Sequence, residues 1–320
     1  MCASVIVFDD NGDAQLCVGS NHGDEPSVFI ACSRALSRVS PVFESLFYRD
    51  AEAEEPSAAL LSENRLVELP HDKPNSLAIL LYAIHCHFDK VPTQLSVEAL
   101  YDLTAAAHKY GASAILRPWT ATWTRSIAVE PEDDTVTLFK AMSIYWVLGS
   151  REDFFSTAAR FVQQASMLAK PDFADLQIPP DTIEHIVSIR LHIMDLLCNV
   201  FRDMIQSLLV VDEGPRWCHH ATWFGHHRCE SMILGSLMSG LSRAGLWPLP
   251  DPKNIPFSVL DLYTKLGGVA VHDIGKAEDA DHQGCNPSRH LRNTMKDIID
   301  GIPKHLSGIM FKTGQLDLAK

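Results

Sequence analysis

Every β-prone run of this 320-residue chain lies within its first seventy residues, and helical periodicity rules from there on. Strands first and helices afterwards is the pattern of an α+β fold, in which a small sheet is covered by helices rather than interleaved with them. The runs are Val5 to Phe8, Gln15 to Val18, Val28 to Ala31 and Val67 to Pro70. Asp9-Asp10-Asn11-Gly12-Asp13 carries the turn chemistry that joins two paired strands, so the first two runs are predicted to form a hairpin. Ser33 is placed to cap the helix after the third run. Ser40-Pro41 opens a second short helix, because proline at the first helical position gives up only a donor that has no partner there. Phe43, Leu46 and Phe47 are predicted to share its inner face, and the Ala- and Glu-rich stretch 50–63 reads as a solvated loop.

Leu77, Leu80, Leu81 and Ile84 recur at the spacing of an amphipathic helix, and Leu100, Leu103, Ala107 and Tyr110 repeat the pattern behind Ser96 and stop at Gly111. A further helix starts at Pro118 and carries Trp119 and Trp123 one turn apart. The acidic, proline-containing stretch Val129 to Asp134 is the predicted boundary. Beyond it Val136 to Leu148, Phe154 to Leu168 and Ile183 to Leu209 are helical by period, the last with Ile186, Ile193, Leu197, Val200, Met204 and Leu208 on one stripe. Ile233 to Leu246 and Ser258 to Leu266 follow, separated by loops crowded with His and Cys. Three segments result: a domain over 11–127, a helical region over 132–212, and a helical His/Cys-rich lobe over 213–320.

Twenty-seven Lys and Arg against 40 Asp and Glu leave a formal charge of -13, a surface that repels phosphate backbones and acidic membranes. Nucleic acid and membrane are therefore not expected as partners. No uncharged apolar run reaches the roughly 18 residues that span a bilayer, and Met1 to Phe8 has no basic flank. Eight cysteines are too sparse for a disulfide scaffold, so a soluble cytoplasmic or nuclear protein with reduced thiols is expected.

The wording of the first half adds to this. Asn11-Gly12-Asp13 before a strand, Ser40-Pro41-Val42-Phe43 with Phe47, and Val67-Glu68-Leu69-Pro70 before the Leu77-to-Ile84 helix are three ordered fragments. Ile84-His85-Cys86-His87-Phe88 with Val91-Pro92, His108-Lys109-Tyr110-Gly111, and Arg117-Pro118-Trp119 with Trp123 are three more. Together they resemble the BTB/POZ domain of proteins from filamentous fungi. The stretches Tyr145-Trp146-Val147-Leu148-Gly149, Cys229 with Met232 to Leu237, and Gly245-Leu246-Trp247-Pro248 are similar to the C-terminal region of the same group. The resemblance implies a BTB/POZ-like domain over 11–127 and a non-catalytic protein-interaction role, as an adaptor or homodimer with protein partners. It also implies a cullin-type ubiquitin-ligase scaffold as a partner. Here, however, Asp72-Lys73-Pro74-Asn75 replaces the apolar residue two before a Glu that cullin-binding members carry.

Among chemical motifs, Cys218, Cys229, His282 and Cys285 are the four Cys or His ligands that a closed structural zinc site takes. His282-x2-Cys285 has chelate spacing, and Cys218-x10-Cys229 supplies the second pair. One structural zinc on this set requires the ligand atoms to meet within about 4 Å. His219, His220, His226 or His227 could supplant one member, and the alternative without metal is buried thiols beside solvated histidines. Val271-His272-Asp273-Ile274-Gly275-Lys276 reads like the core of an HD-type metal-dependent phosphohydrolase, the competing function, with His227, His305 and Asp297 as nominal further ligands. His85, Cys86 and His87 read as packing and helix-end partners because adjacent helical positions diverge. No Gly-rich phosphate loop and no nucleophile elbow is present.

Overall fold

The computed structural model describes residues 4–21, 26–49, 65–127, 134–166, 177–210, 217, 218, 220, 223–277 and 280–311, with the backbone alone for 49, 223–227, 277 and 280. The predicted loop over 50–63 and the boundary over 129–133 lie outside these residues. The chain divides into two compact units: Met1–Thr157 with Phe173–Pro179 and Phe311–Lys320, and Ala158–Asp172 with Pro180–Met310.

The first unit holds a four-stranded sheet of β1 (Ser4–Val7), β2 (Ala14–Val18), β3 (Ser27–Ala31) and β4 (Arg65–Leu69) in the order β1-β3-β2-β4. β2 is antiparallel to β3 with Leu16 opposite Phe29, while β4 runs parallel to β2 and β1 parallel to β3. The predicted hairpin of the first two runs is therefore not formed, because β3 lies between them. The Asn11-Gly12 turn is nonetheless real: Asp9 accepts the Asn11 N–H through Oδ1 at 2.9 Å and the Gly12 N–H through its carbonyl at 3.0 Å. It crosses the end of β3 so closely that a Cβ on Gly12 would stand 2.9 Å from the Ala31 carbonyl oxygen. Glycine is needed here for that crossing and not for a two-residue reversal.

Helices α1 (Ser33–Val39), α2 (Pro41–Glu44), α3 (Pro74–Ile84), α4 (Val97–Lys109), α5 (Thr120–Ser126) and α6 (Thr135–Leu148) complete the unit, and the division between units falls within α7 (Arg151–Gln164). Leu16 and Phe29 of the sheet and Leu36, Phe43, Leu77, Leu80, Leu81, Leu100 and Leu103 of the helices are wholly buried, as the apolar stripes required. Ser40 caps α2 by accepting the Phe43 N–H at 3.0 Å. Two local expectations are corrected. Ser33 is the first residue of α1 and not its cap; the capping acceptor is Asp13, whose carboxylate takes the Ser33 N–H and hydroxyl, each at 2.7 Å. Leu46 is 42% exposed, because the helix widens into a π-helical turn over Ser45–Arg49 that keeps only Phe43 and Phe47 inside. Pro118 falls within a 3-10 stretch, Ser113–Trp119, and α5 begins just after it.

The second unit is built around α8 (Pro180–Leu209), against which α9 (Trp223–Arg243), α10 (Val259–Gly267), α11 (Ser288–Asp300) and α12 (Ile302–Leu306) pack. Its buried face is broader than one stripe: Ile189, Arg190, Met194, Cys198 and Phe201 join Ile186, Ile193, Leu197 and Met204, while Val200 and Leu208 are half-exposed. Arg190 is 5% exposed and donates to the carbonyls of Ala165 at 3.0 Å, Ser166 at 2.9 Å and Phe257 at 3.0 Å. One pair of strands that periodicity did not predict, β5 (Lys276–Ala277) and β6 (Ala280–Asp281), forms a two-residue antiparallel ladder. Among the described residues no helix is long and apolar enough to cross a membrane.

Candidate metal centre

The β5–β6 ladder delivers the chain into a 3-10 turn, His282–Cys285, which Asp281 caps by accepting the Gln283 N–H at 3.0 Å. The His282 N–H is itself held by the Gly275 carbonyl at 2.9 Å. A single short turn thereby presents His282 and Cys285 on one side. Cys229 comes from α9, and Cys218 from the segment before that helix. All four side chains are buried, and one ligand atom from each lies within 4.8 Å of the others. Cys218 Sγ stands 3.4 Å from His282 Nδ1 and 3.8 Å from Cys285 Sγ. A tetrahedron with 2.3 Å bonds has edges of about 3.8 Å, so these two separations already match, while the widest exceeds the roughly 4 Å anticipated.

Hydrogen bonds around the four set their places. Glu230, next to Cys229 on α9, accepts the backbone N–H groups of Trp217 at 2.8 Å and Cys218 at 3.2 Å through one carboxylate oxygen. The Trp217 indole N–H donates to the Cys285 carbonyl. His220 is engaged elsewhere, its Nε2 bonded to the Asp281 carbonyl at 2.9 Å, so it does not replace a member of the set. His219, and the side chains of His226 and His227, lie outside the described residues. Nothing in the spacing of Glu230 or Trp217 marks them as parts of the centre; only the folded chain brings them to it.

Burial pushes the Cys218 thiol above its ordinary range; a backbone hydrogen bond with His220 pulls the other way, and Cys285 adds to the rise. Burial, followed by the neighbouring Cys218 and Cys285, raises Cys229 as well. Cys218 and Cys229 thus resist ionising out of water, and a divalent cation among the four side chains would reverse that balance by stabilising thiolates. Three sulfurs and one imidazole nitrogen form a soft set suited to zinc, and four protein ligands leave no open position for a reacting molecule.

The other candidate residues do not converge in this way. His272 and Asp273 lie in a non-helical segment between α10 and β5. Asp273 accepts the Gly275 N–H at 2.7 Å and the Asn286 side-chain N–H at 3.0 Å, and the His272 N–H donates to Ser236. Among the described residues no group of three potential metal ligands includes either of them. His305 faces His192, ring centres 5.3 Å apart, and Asp297 is on α11. In the first unit His87 binds the Phe8 carbonyl at 2.8 Å and Cys86 is exposed. Trp123 is buried, stacked on Trp119 at 5.8 Å, and donates to the Pro92 carbonyl at 2.9 Å. Comparison of the chain with protein-family models, with curated proteins and with solved structures found no match.

Proposed function

We propose that the chain is a non-catalytic protein-interaction protein of the BTB/POZ type that self-associates through its first unit, and that its second unit is held by one structural zinc. The observation that carries the first part is the edge of the sheet. β1 lies outermost on β3, its far side unpaired among the described strands, with Val5 62% and Val7 46% exposed. An apolar edge strand of this kind is a template for pairing with another chain. The order of elements lends support: an antiparallel pair, two short helices, a strand returning parallel to the first of the pair, then helices. Light scattering of the full chain at micromolar concentration tests it. A mass of twice 35.5 kDa is expected, falling to one chain when Val5 and Val7 are both replaced by Lys. A monomeric wild type overturns the reading.

For the second part, the convergence of Cys218, Cys229, His282 and Cys285 supports zinc over ordinary thiols. Bound there, the ion would crosslink α9, the segment before it and the His282–Cys285 turn, a structural role. Elemental analysis of the purified chain should find one zinc per chain, lost in Cys229→Ser. A wild type isolated without metal that also takes up no added zinc ends this part of the proposal.

A further inference from the structure

One carboxylate and one indole, neither of them a ligand, link the segments that carry the four ligands. Glu230 holds the backbone at Trp217 and Cys218 onto α9, the helix of Cys229. Trp217 in turn holds the carbonyl of Cys285, the end of the turn that begins with His282. The indole also lies against the ring of His290 on α11, centroids 5.5 Å apart, which restricts its plane. Two side chains thus connect all three ligand-bearing segments by bonds that need no ion.

We propose that Glu230 and Trp217 are positioning residues that preassemble this centre for zinc, an inference that rests on the zinc reading above. Cys218 and Cys285 are 67 residues apart in sequence. Bringing such distant ligands together costs ordering entropy at the moment of binding unless the protein has already ordered them, so preassembly appears directly as metal affinity. Outer groups that orient ligands are worth about 10–100-fold in affinity. What the structure shows of Glu230's action on the centre is the oxygen that accepts two N–H groups. An amide oxygen at the same place can accept the same two N–H groups, each bond weaker than to a carboxylate but still made.

The test uses the full chain, stripped of metal and titrated with zinc against a chromophoric chelator, with cobalt absorption as a second readout. Wild type binds one ion. Glu230→Ala and Trp217→Phe, the latter deleting only the indole N–H, bind one ion about 10–100-fold more weakly. Glu230→Gln binds more tightly than Glu230→Ala, between it and wild type, because the acceptor is kept and only weakened. The cobalt spectrum of all four proteins keeps the bands of tetrahedral thiolate coordination, since the ligands are unchanged. Unaltered affinity in Glu230→Ala and Trp217→Phe overturns the inference while leaving the zinc reading intact, and so does a Glu230→Gln variant as weak as Glu230→Ala. Failure of wild type to bind zinc instead removes the reading on which it rests. If Glu230→Ala does not fold, Trp217→Phe and Glu230→Gln decide the matter between them.

Discussion

The Nε2 atom of His85 accepts the backbone N–H of Cys32 at 3.0 Å, while Nδ1 of the same ring bonds the Leu81 carbonyl at 2.9 Å. This pairing requires a neutral ring with its proton on Nδ1, because a second ring N–H would point at an amide N–H. Burial holds the His85 pKa below its ordinary 6.5; the Leu81 bond and Asp9 pull upward, and His87 pushes further down. The unfolded chain therefore takes up the proton first as the pH falls. The stability contributed is complete above about pH 6.5 and is lost as pH falls through the lower folded-state value. Thermal unfolding at stepped pH from about 7.5 to 5.5 should show the wild-type Tm dropping faster than that of His85→Gln, whose amide has no proton to gain. Parallel curves for the two proteins would contradict this account.

Asp13 should show a second acid dependence at lower pH. Burial alone would raise its pKa, but the hydroxyl and N–H of Ser33 and the charge of Arg65 outweigh it, and the net shift is downward from 3.8. Its contribution is present above about pH 4 and lost as pH falls through the depressed folded-state pKa. Asp13→Ala removes the acceptor at the start of α1 and should cost about 1 kcal/mol at neutral pH by urea denaturation. A change indistinguishable from zero would mean that Ser33 finds another partner without loss.

On the zinc proposal, removing the metal should act on the second unit. Chelation, or Cys285→Ser, is expected to lower the Tm by roughly 10 °C, the effect of losing a few kcal/mol in a unit of this size. Differential scanning calorimetry before and after chelation measures it. Full recovery on adding zinc to the chelated wild type, but not to Cys285→Ser, is the accompanying expectation.

Arg190 has a cost that can be stated in advance. Its guanidinium serves three carbonyls out of water, each bond to a charged donor being worth about 1.5–3 kcal/mol before compensation. Arg190→Ala should destabilise the chain by about 3–5 kcal/mol, and Arg190→Lys by less, since a single ammonium cannot span three separate acceptors. Equilibrium denaturation in urea orders the three proteins.

The strand runs and helical stripes were legible because they are local: Leu77, Leu80, Leu81 and Ile84 declare a buried helical face without reference to anything distant. The Cys218, Cys229, His282 and Cys285 cluster was legible for a different reason, the chelate spacing of His282-x2-Cys285 beside a second cysteine pair. What escaped depends on partners far away in sequence. Asn11-Gly12 announces a turn but not which strand it crosses, and Asp13 reaches the start of α1 from twenty residues away. Arg190 reads as one more cation on an amphipathic helix until the carbonyls of Ala165 and Phe257 are brought to it. Leu46 fits an inner face at ordinary helical pitch, and only the widened turn puts it outside.

The 3.8 Å between the sulfurs of Cys218 and Cys285 closes a long circuit in the chain. With an ion between them, the backbone from 218 to 285 becomes a ring that contains α9 and α10 whole. A tie across a ring of this length removes about 4 kcal/mol of chain entropy from its opened state. Fluctuations that would fray one helix must then open within fixed ends, which couples α9 to α10. Amide hydrogen exchange in the two helices should proceed as one slow block in the metal-bound chain and as two faster, separate ones after chelation.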